Sequence, residues 1–281
     1  MQSNFVAVLI ALASAFTIAW GTVTRHRIVA QPNADGDSPL LTGLRNVMWW
    51  ISIGSAFVAY ILQVVALAFG TLLVVQPILV LSLMFTLMLA AHVEKRRMTN
   101  SEVMWATILT IAVGILVMFG RPLPGEGAPD STRWWIAVAV GATLGIVLTF
   151  FASRRSSGPK ALTLGAVCGG VFGYVAVLSK AVADIFVAGG VRGIAQSHEL
   201  YILIIVAILG TTVQQYAFAA GRLETSLPAM KVFELVVAFA LGYLVLGEQF
   251  QVQTILGWSV MGLSLVAMFA ATFALARKQT S

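Results

Sequence analysis

The sequence is poor in charge. Only 10% of its 281 residues are Asp, Glu, Lys or Arg, whereas 59% are apolar. A soluble domain carries about 25% charged residues, so this composition excludes an ordinary soluble protein and indicates a membrane protein. The net charge of +6 is distributed among predicted loops, as membrane topology requires. We therefore expect a lipid bilayer as partner and no nucleic acid.

Reactive and metal-binding side chains are also scarce. The single cysteine, Cys168, cannot form an internal disulfide. The histidines, His26, His92 and His198, lack metal-ligand spacing, and the chain has no P-loop, which argues against ATP as the energy source. We therefore predict that the protein is not an enzyme and has no metal site or cofactor, while proton or cation coupling stays open.

A removable signal peptide is not expected, because residues 1–5 carry no basic side chain and no small-residue cleavage site follows the first apolar run. No soluble domain is recognisable either. The chain is predicted to be one integral unit in the plasma (inner) membrane of a bacterium, with homo-oligomer formation left open.

Long apolar runs dominate the rest of the chain. A helix needs roughly 20 apolar residues to cross the hydrocarbon core of a bilayer. The fold class predicted on this basis is an all-α polytopic membrane protein. Its nine transmembrane helices are expected at residues 4–24, 46–69, 71–91, 101–120, 134–152, 160–187, 199–220, 224–246 and 252–276.

The basic residues of the connections predict the orientation. Three lie on one side, Arg121, Arg133 and Arg192. The connections on the other side carry twelve basic residues, and this side is therefore placed in the cytoplasm. This orientation puts the N-terminus outside and the C-terminus inside. The basic residues of the cytoplasmic side are Arg25, Arg27, Arg45, Lys95, Arg96, Arg97, Arg154, Arg155, Lys160, Arg222, Arg277 and Lys278.

One stretch of the sequence occurs twice. QVVALAFGTLLVVQP at 63–77 and QQYAFAAGRLETSLP at 214–228 align without a gap. Each copy ends one apolar segment, turns at a glycine, and opens the next segment, which contains a proline and ends near Glu94 or Glu248. In the predicted topology the copies run in opposite directions, which is typical of transporters built from inverted repeats. We predict a first repeat of four helices over residues 1–120 and a second of five over residues 121–281. The identical pairs are Gln63/Gln214, Ala66/Ala217, Ala68/Ala219, Gly70/Gly221, Leu72/Leu223 and Pro77/Pro228.

The end of the second repeat resembles the drug/metabolite transporter superfamily. Leu246-Gly247-Glu248, followed by Gly257 and Gly262, is similar to the Leu-Gly-Glu turn and glycine-rich last helix of that superfamily. Val93-Glu94 with Gly114 is a weaker copy in the first repeat. The resemblance implies inverted repeats and a transport function.

Within that superfamily the chain resembles the nine-helix NIPA-like and EamA-like branch. The resemblance rests on Ala59-Tyr60, Ala66, Gly70 and Gln76-Pro77. The NIPA-type branch is associated with magnesium transport. A typical superfamily member has ten helices as five plus five, whereas this chain has four plus five.

Two pairs of charged residues fall inside predicted helices. A charge at mid-bilayer costs about 2.5–3.5 kcal/mol on insertion scales, so it needs a partner or a wet cavity. Lys231 and Glu234 are spaced i,i+3, and Lys180 and Asp184 are spaced i,i+4, so each pair shares a helix face. Each is either a self-neutralising ion pair or part of a binding site. Lys180 and Asp184 could instead reach the membrane interface.

Amides and aromatics supply further candidates. Gln63 and Gln214 occupy equivalent positions of the two copies. Their side-chain amides could either form hydrogen bonds between helices or contact a ligand, and the sequence leaves both alternatives open. Substrate-binding candidates are Gln63, Gln214, Lys231, Glu234, Tyr60 and Gln215, with Lys180, Asp184, Tyr174 and Trp20 as secondary candidates. Pro77, Pro228, Gly70 and Gly221 are predicted hinges or helix breaks. The glycines of the sixth helix at 165, 169, 170 and 173 predict close helix packing.

These features predict a secondary, non-ATP transporter that moves a small polar or anionic organic solute by alternating access. The solute could be a metabolite, a drug or a lipid headgroup. One alternative is a NIPA-like transporter of magnesium or another divalent cation, although Glu234 beside Lys231 is a poor site for a hard cation. The other is a non-transporting membrane scaffold or accessory subunit, which gives no reason for ionisable residues inside the membrane.

Overall fold

A computed structural model describes residues 4–29, 47–125, 131–154, 156–220 and 223–278. Over these residues the chain forms nine helices, each long and apolar enough to cross a membrane, which confirms the predicted number of spans. The predicted loop after α1 and the hinge candidate Gly221 lie outside the described residues. The helices are α1 (Asn4–Val29), α2 (Val47–Phe69), α3 (Leu72–Val93), α4 (Asn100–Gly120), α5 (Ser131–Ser153), α6 (Ser157–Ala195), α7 (His198–Ala219), α8 (Leu223–Leu244) and α9 (Ile255–Lys278).

Helix α6 is longer than predicted. It has 39 residues and runs past the expected end at residue 187. Its backbone leaves the helical region at Gly190, where φ is +61°. Glycine adopts this left-handed conformation without a steric penalty, so the chain bends there and resumes the helix. The apolar run ends before this bend, which is why the sequence places the helix end too early.

The bundle is built around α3 and α6, its two most buried helices. Helix α1 packs on α2 and α3, and α6 packs on α7 and α8. Helix α3 also contacts α4 and α8, while α9 joins α4 to α8. Helix α5 packs mainly against α6 and leaves most of its apolar surface exposed. Such a surface suits contact with lipid chains.

Three glycines set the distance between α6 and α8. A side chain at Gly165 would overlap the backbone of Ser226, and one at Gly169 would overlap the carbonyl oxygen of Met230. At Gly173 a Cβ atom would come within 2.7 Å of the Val237 side chain. The spacing of four residues places all three on one helix face. The predicted close packing is confirmed at these three positions, whereas Gly170 lies outside the tight contact.

The two neighbouring glycines, Gly169 and Gly170, provide a matched test of this packing. We expect Gly169→Ala to lower the stability by about 1–3 kcal/mol, because the added methyl group overpacks the contact with α8. Gly170→Ala should leave the stability unchanged or raise it by roughly 0.5–1 kcal/mol, since its Cβ would lie 4.0 Å from Val237. Thermal unfolding in detergent measures both. Equal effects of the two variants would contradict the packing described.

Candidate functional site

Helices α2 and α3 are joined by a turn of only two residues, Gly70 and Thr71. Gly70 passes so close to α1 that a Cβ atom there would overlap the side chain of Ala7. A helix end leaves carbonyl groups unpaired, and a helix start leaves N–H groups unpaired. In an apolar bundle no bulk water is present to satisfy them. The chain must therefore supply partners for both sides of this turn.

Glu248 supplies the partner for the start of α3. Its Oε1 accepts a hydrogen bond from the Leu72 N–H at 2.7 Å and its Oε2 accepts one from the Leu73 N–H at 2.9 Å. Gly247, with φ of +66°, reverses the chain just before it, which glycine does without steric penalty. The Glu248 N–H donates to the carbonyl of Gly242 at the end of α8. A carboxylate at a helix N-terminus also meets the positive end of the helix dipole.

Burial shifts the ionisation of this carboxyl group. The side chain of Glu248 is only 1% exposed, and burial raises its pKa to about 7. The hydrogen bonds from Leu72 and Leu73 and the charge of Lys180 pull the pKa down, while Asp184 pushes it up. Desolvation is the largest of these effects. Glu248 therefore titrates near neutral pH instead of near 4.5.

Lys180 supplies the partner for the end of α2. Its Nζ donates to the carbonyl oxygen of Leu67 at 2.9 Å and to Asp184 Oδ1 at 2.7 Å. The Lys180 side chain is 4% exposed and that of Asp184 is 52% exposed. A helix-end carbonyl thus holds the lysine inside the bundle, and an interfacial position of the Lys180–Asp184 pair stays a prediction. A cation suits this position, since the C-terminal end of a helix is negative.

We call this arrangement the charge clamp. It consists of Glu248, Lys180 and Asp184 together with the backbone groups of Leu67, Leu72 and Leu73. The sequence marks Glu248 only as the end of an apolar segment and does not place it in a site. Its Gly-Glu turn was a signal, but the sequence could not show which helix start the carboxylate would reach.

Other connections meet at the same end of the bundle. Leu123 and Gln249 form an antiparallel bridge, with N–H to carbonyl distances of 2.8 and 3.2 Å. The Gln251 N–H donates to the Gly120 carbonyl at 2.9 Å. We call this the turn end, formed by residues 70–71, 121–125 and 245–254. At this end the α8–α9 connection is joined to α3 and α4 together.

At the opposite end of α3, the glutamate that corresponds to Glu248 has a different environment. Glu94 is exposed and pairs with Arg96 at 2.9 Å. Arg96 also contacts Glu102 at 3.1 Å, and Glu102 closes a capping box with Thr99 at the start of α4. These hydrogen bonds raise the pKa of Arg96 above its usual value. The two equivalent glutamates of the repeat therefore have different roles: Glu248 accepts hydrogen bonds from the start of α3, whereas Glu94 forms an exposed ion pair with Arg96.

A cavity of about 170 Å³ lies between α1 and α2. Two sequence-predicted candidates, Tyr60 and Gln63, line it together. The Tyr60 hydroxyl lies 2.8 Å from the Ser179 Oγ of α6. The side-chain amide of Gln63 makes no hydrogen bond with another residue that the structure describes. The lining residues are Ile18, Gly21, Ser55, Ala56, Ala59, Tyr60 and Gln63.

The remaining polar candidates lie elsewhere. Gln214 points its Nε2 at the Met230 sulfur of α8, 3.5 Å away, so the two repeated glutamines lie against different helices. Gln215 is exposed, and Trp20 is half-buried in α1 outside the cavity lining. The Tyr174 hydroxyl donates to the carbonyl of Ala137 and so joins α6 to α5.

Lys231 and Glu234 form a closed ion pair. The Lys231 Nζ lies 3.0 Å from Glu234 Oε2, and the side chains are 35% and 22% exposed. This geometry is the one that the ion-pair interpretation predicts. A role in substrate binding stays a prediction.

Both predicted proline positions lie inside helices and are buried. Pro77 lies within α3 and Pro228 within α8, and both helices continue through these positions; a hinge role stays a prediction. Buried polar atoms without a hydrogen-bond partner flank them, namely Gln76 Nε2 beside Pro77 and Ser226 Oγ before Pro228. Thr71 Oγ1 in the turn is the third such atom within the described part of the chain.

The described residues contain no group of three or more His, Cys, Asp or Glu side chains that could hold a metal ion. No protein-family model and no solved structure matches the chain. The chain is 53% identical over 283 residues to an uncharacterized protein of Corynebacterium glutamicum. The match covers 100% of this chain and 98% of that relative.

The Lys231–Glu234 pair can be tested by its two single variants and the double variant. Lys231→Gln and Glu234→Gln should each lower thermal stability, because each leaves one charge unpaired inside the bundle. The loss should be smaller than the 3–5 kcal/mol of a fully buried pair (~1 kcal/mol or somewhat more), since both side chains are partly exposed. The double change should recover the stability. Losses that simply add in the double variant would contradict the ion-pair assignment.

Proposed function

This chain belongs to one family with the Corynebacterium glutamicum protein, and we propose that members of this family are secondary transporters in the bacterial plasma membrane. The proposed activity is the movement of a small polar organic solute by alternating access. We assign the chain to the drug/metabolite type of transporter on the strength of its repeated sequence and its nine apolar helices.

The observation that carries this proposal is the Gln63 amide in the cavity. A fully buried amide group without hydrogen-bond partners costs ~4–8 kcal/mol on a water-to-cyclohexane scale, and the half-buried amide of Gln63 carries part of this cost. A structural role for Gln63 would provide a partner for this amide, yet among the described residues none bonds to it. Water or a polar solute in the cavity satisfies it. A site that exchanges water for solute is what a transporter requires.

The lining of the cavity favours an uncharged solute. The Gln63 amide offers both donors and an acceptor, whereas the hydroxyl protons of Tyr60 and Ser55 are already donated to Ser179 and to the Ser52 carbonyl, which leaves these oxygens as acceptors. No Asp, Glu, Lys or Arg belongs to the lining. Lys180 and Lys231, the lysines inside the membrane-spanning helices that the sequence singles out, are each bound to a carboxylate. We therefore favour a neutral, hydrogen-bonding solute over an anionic one.

The helix contacts support two related halves. Helix α1 packs on α2 and α3 in the same pattern as α6 packs on α7 and α8. Helices α3 and α8 contact each other, as do α4 and α9. These pairs are the ones that an inverted repeat with α5 as the additional helix would bring together. The proposed repeats accordingly place one half over α1–α4 and the other over α5–α9.

One contact breaks this symmetry. Helix α2 packs on α6 through Tyr60–Ser179 and Leu67–Lys180, and its repeat counterpart would join α7 to α1. No comparably extensive contact joins α7 and α1 among the described residues. We interpret this difference as one state of an alternating-access cycle, with the bundle closed at the turn end. In the opposite state, α2 and α6 would separate and α7 would pack on α1.

Uptake into proteoliposomes tests the proposed function. We expect uptake of a neutral polar solute from a panel that also contains anionic solutes and Mg²⁺. Gln63→Ala and Tyr60→Phe should raise KM by up to about tenfold, because each removes a hydrogen bond worth roughly 0.5–1.5 kcal/mol. The exposed residues Gln253 and Tyr243 provide matched controls, Gln253→Ala and Tyr243→Phe, which should leave KM unchanged.

Two results would contradict the proposal. Uptake that is indifferent to Gln63→Ala and Tyr60→Phe, in variants that elute as folded protein, would remove the cavity from the transport route. Absence of uptake for every class in the panel would argue against a transporter. Uptake of only an anion or only Mg²⁺ would refute the proposed substrate class while keeping the transport function.

A further inference from the structure

We propose that Glu248 is a proton-binding site, and that loss of its proton opens the bundle at the turn end. The inference takes from the proposed function only that the two ends of the bundle open in alternation. It concerns the charge clamp and not the solute cavity. The proton passes from the Glu248 carboxyl group to water that enters as the turn end opens.

The surroundings of the carboxyl group carry the argument. Glu248 is 1% exposed, and its two oxygens contact the peptide N–H groups of Leu72 and Leu73. These donors are neutral. The ammonium group of Lys180, whose charge favours the ionised form of Glu248, is already bound to the Leu67 carbonyl and to Asp184. An ionised carboxylate at this position thus lacks a contacting cation, and burial without one is costly.

The other groups around Glu248 do not change this conclusion. From α6, Lys180 favours the ionised form and Asp184 opposes it. At the turn end α2 and α3 present peptide groups and apolar side chains, since their titratable residues are Tyr60 in the middle of α2 and His92 at the far end of α3. Arg121, which follows α4 at this end, is exposed.

The direction of the effect follows from linkage. Burial holds the pKa of Glu248 at about 7 in the closed bundle, whereas a carboxyl group in water has a pKa of roughly 4.3. The closed state therefore binds the proton more tightly than a hydrated open state. Acid favours the closed state and alkali favours the open one. Between about pH 4.5 and 7 the ratio of open to closed bundle rises by up to tenfold per pH unit.

Thr71 is the natural position for a reporter of this opening. It lies in the turn beside Leu72 and is completely buried. Its hydroxyl has no hydrogen-bond partner, so Thr71→Cys removes no interaction of that group. Ser226 shares both properties and lies in α8 against Gly165. Ser226→Cys is therefore a matched reporter away from the clamp.

The experiment measures the labelling rate of Thr71→Cys in a Cys168→Ala background, with a small thiol reagent, from pH 5 to 8. Each rate is divided by that of the same reporter with Glu248→Gln at the same pH, which removes the pH dependence of the thiol itself. We expect this ratio to rise at least tenfold with pH, because Gln is a permanently neutral stand-in for protonated Glu248. Glu94→Gln, at the exposed repeat counterpart, should leave the ratio unchanged.

A second variant tests the titrating group. Asp184→Asn should move the midpoint of the labelling curve to lower pH, since it removes the charge that opposes ionisation of Glu248. Asp184 is half exposed, so this variant is expected to fold. If Glu248→Gln does not accumulate as folded protein, the shift of this midpoint tests the proposal instead. The labelling rate of Ser226→Cys then serves as the reference that corrects for the pH dependence of the thiol.

Three outcomes would overturn the proposal: a flat ratio, a ratio that falls with pH, or an equal rise at Ser226→Cys. An unchanged midpoint in Asp184→Asn would overturn it as well. The labelling needs no transported solute. A pH-dependent labelling ratio in a protein that shows no uptake would support the proton site and contradict the proposed transport function. Uptake together with a flat labelling ratio would support the transport function and contradict the proton site.

Discussion

The fold depends on how the chain satisfies the peptide groups on either side of the two-residue turn at Gly70–Thr71. Helix ends are ordinarily solvated or capped by neighbouring residues, but this turn lies among buried side chains. The second half of the chain provides both partners. The carboxyl group of Glu248 accepts hydrogen bonds from the start of α3, and the ammonium group of Lys180 donates one to the end of α2. Each group thus satisfies peptide groups that a helix end leaves unpaired.

The same interactions connect the solute cavity to the turn end. Lys180 directly follows Ser179, the residue that contacts Tyr60 at the cavity. Helix α2 is thus held to α6 at two neighbouring levels, one by hydroxyl groups at the cavity and one by the ammonium group at the helix end. Separation of the helices at one level strains the contact at the other. This short stretch of α6 therefore lies between the solute cavity and the turn end.

The helices themselves were predictable because apolar runs of the length of a bilayer leave the backbone few alternatives. Tyr60 and Gln63 were also recognisable, since polar groups in an apolar helix need partners. The hydrogen bonds between residues far apart in the sequence were not predictable. Glu248 bonds to a residue 176 positions earlier, and no local pattern specifies which helix start it reaches. The contact of Lys180 could not be predicted for the same reason, because its acceptor is a backbone carbonyl on another helix.

Hydrogen exchange at the start of α3 tests the clamp most directly. The account predicts slow exchange of the Leu72 and Leu73 amides, and about 10–100-fold faster exchange in Glu248→Ala, since a buried N–H donor left without its partner costs roughly 1–3 kcal/mol. The amide of Val80, deeper in the same helix, should exchange equally slowly in both proteins. Unchanged exchange at Leu72 and Leu73 after loss of the carboxylate would contradict the account.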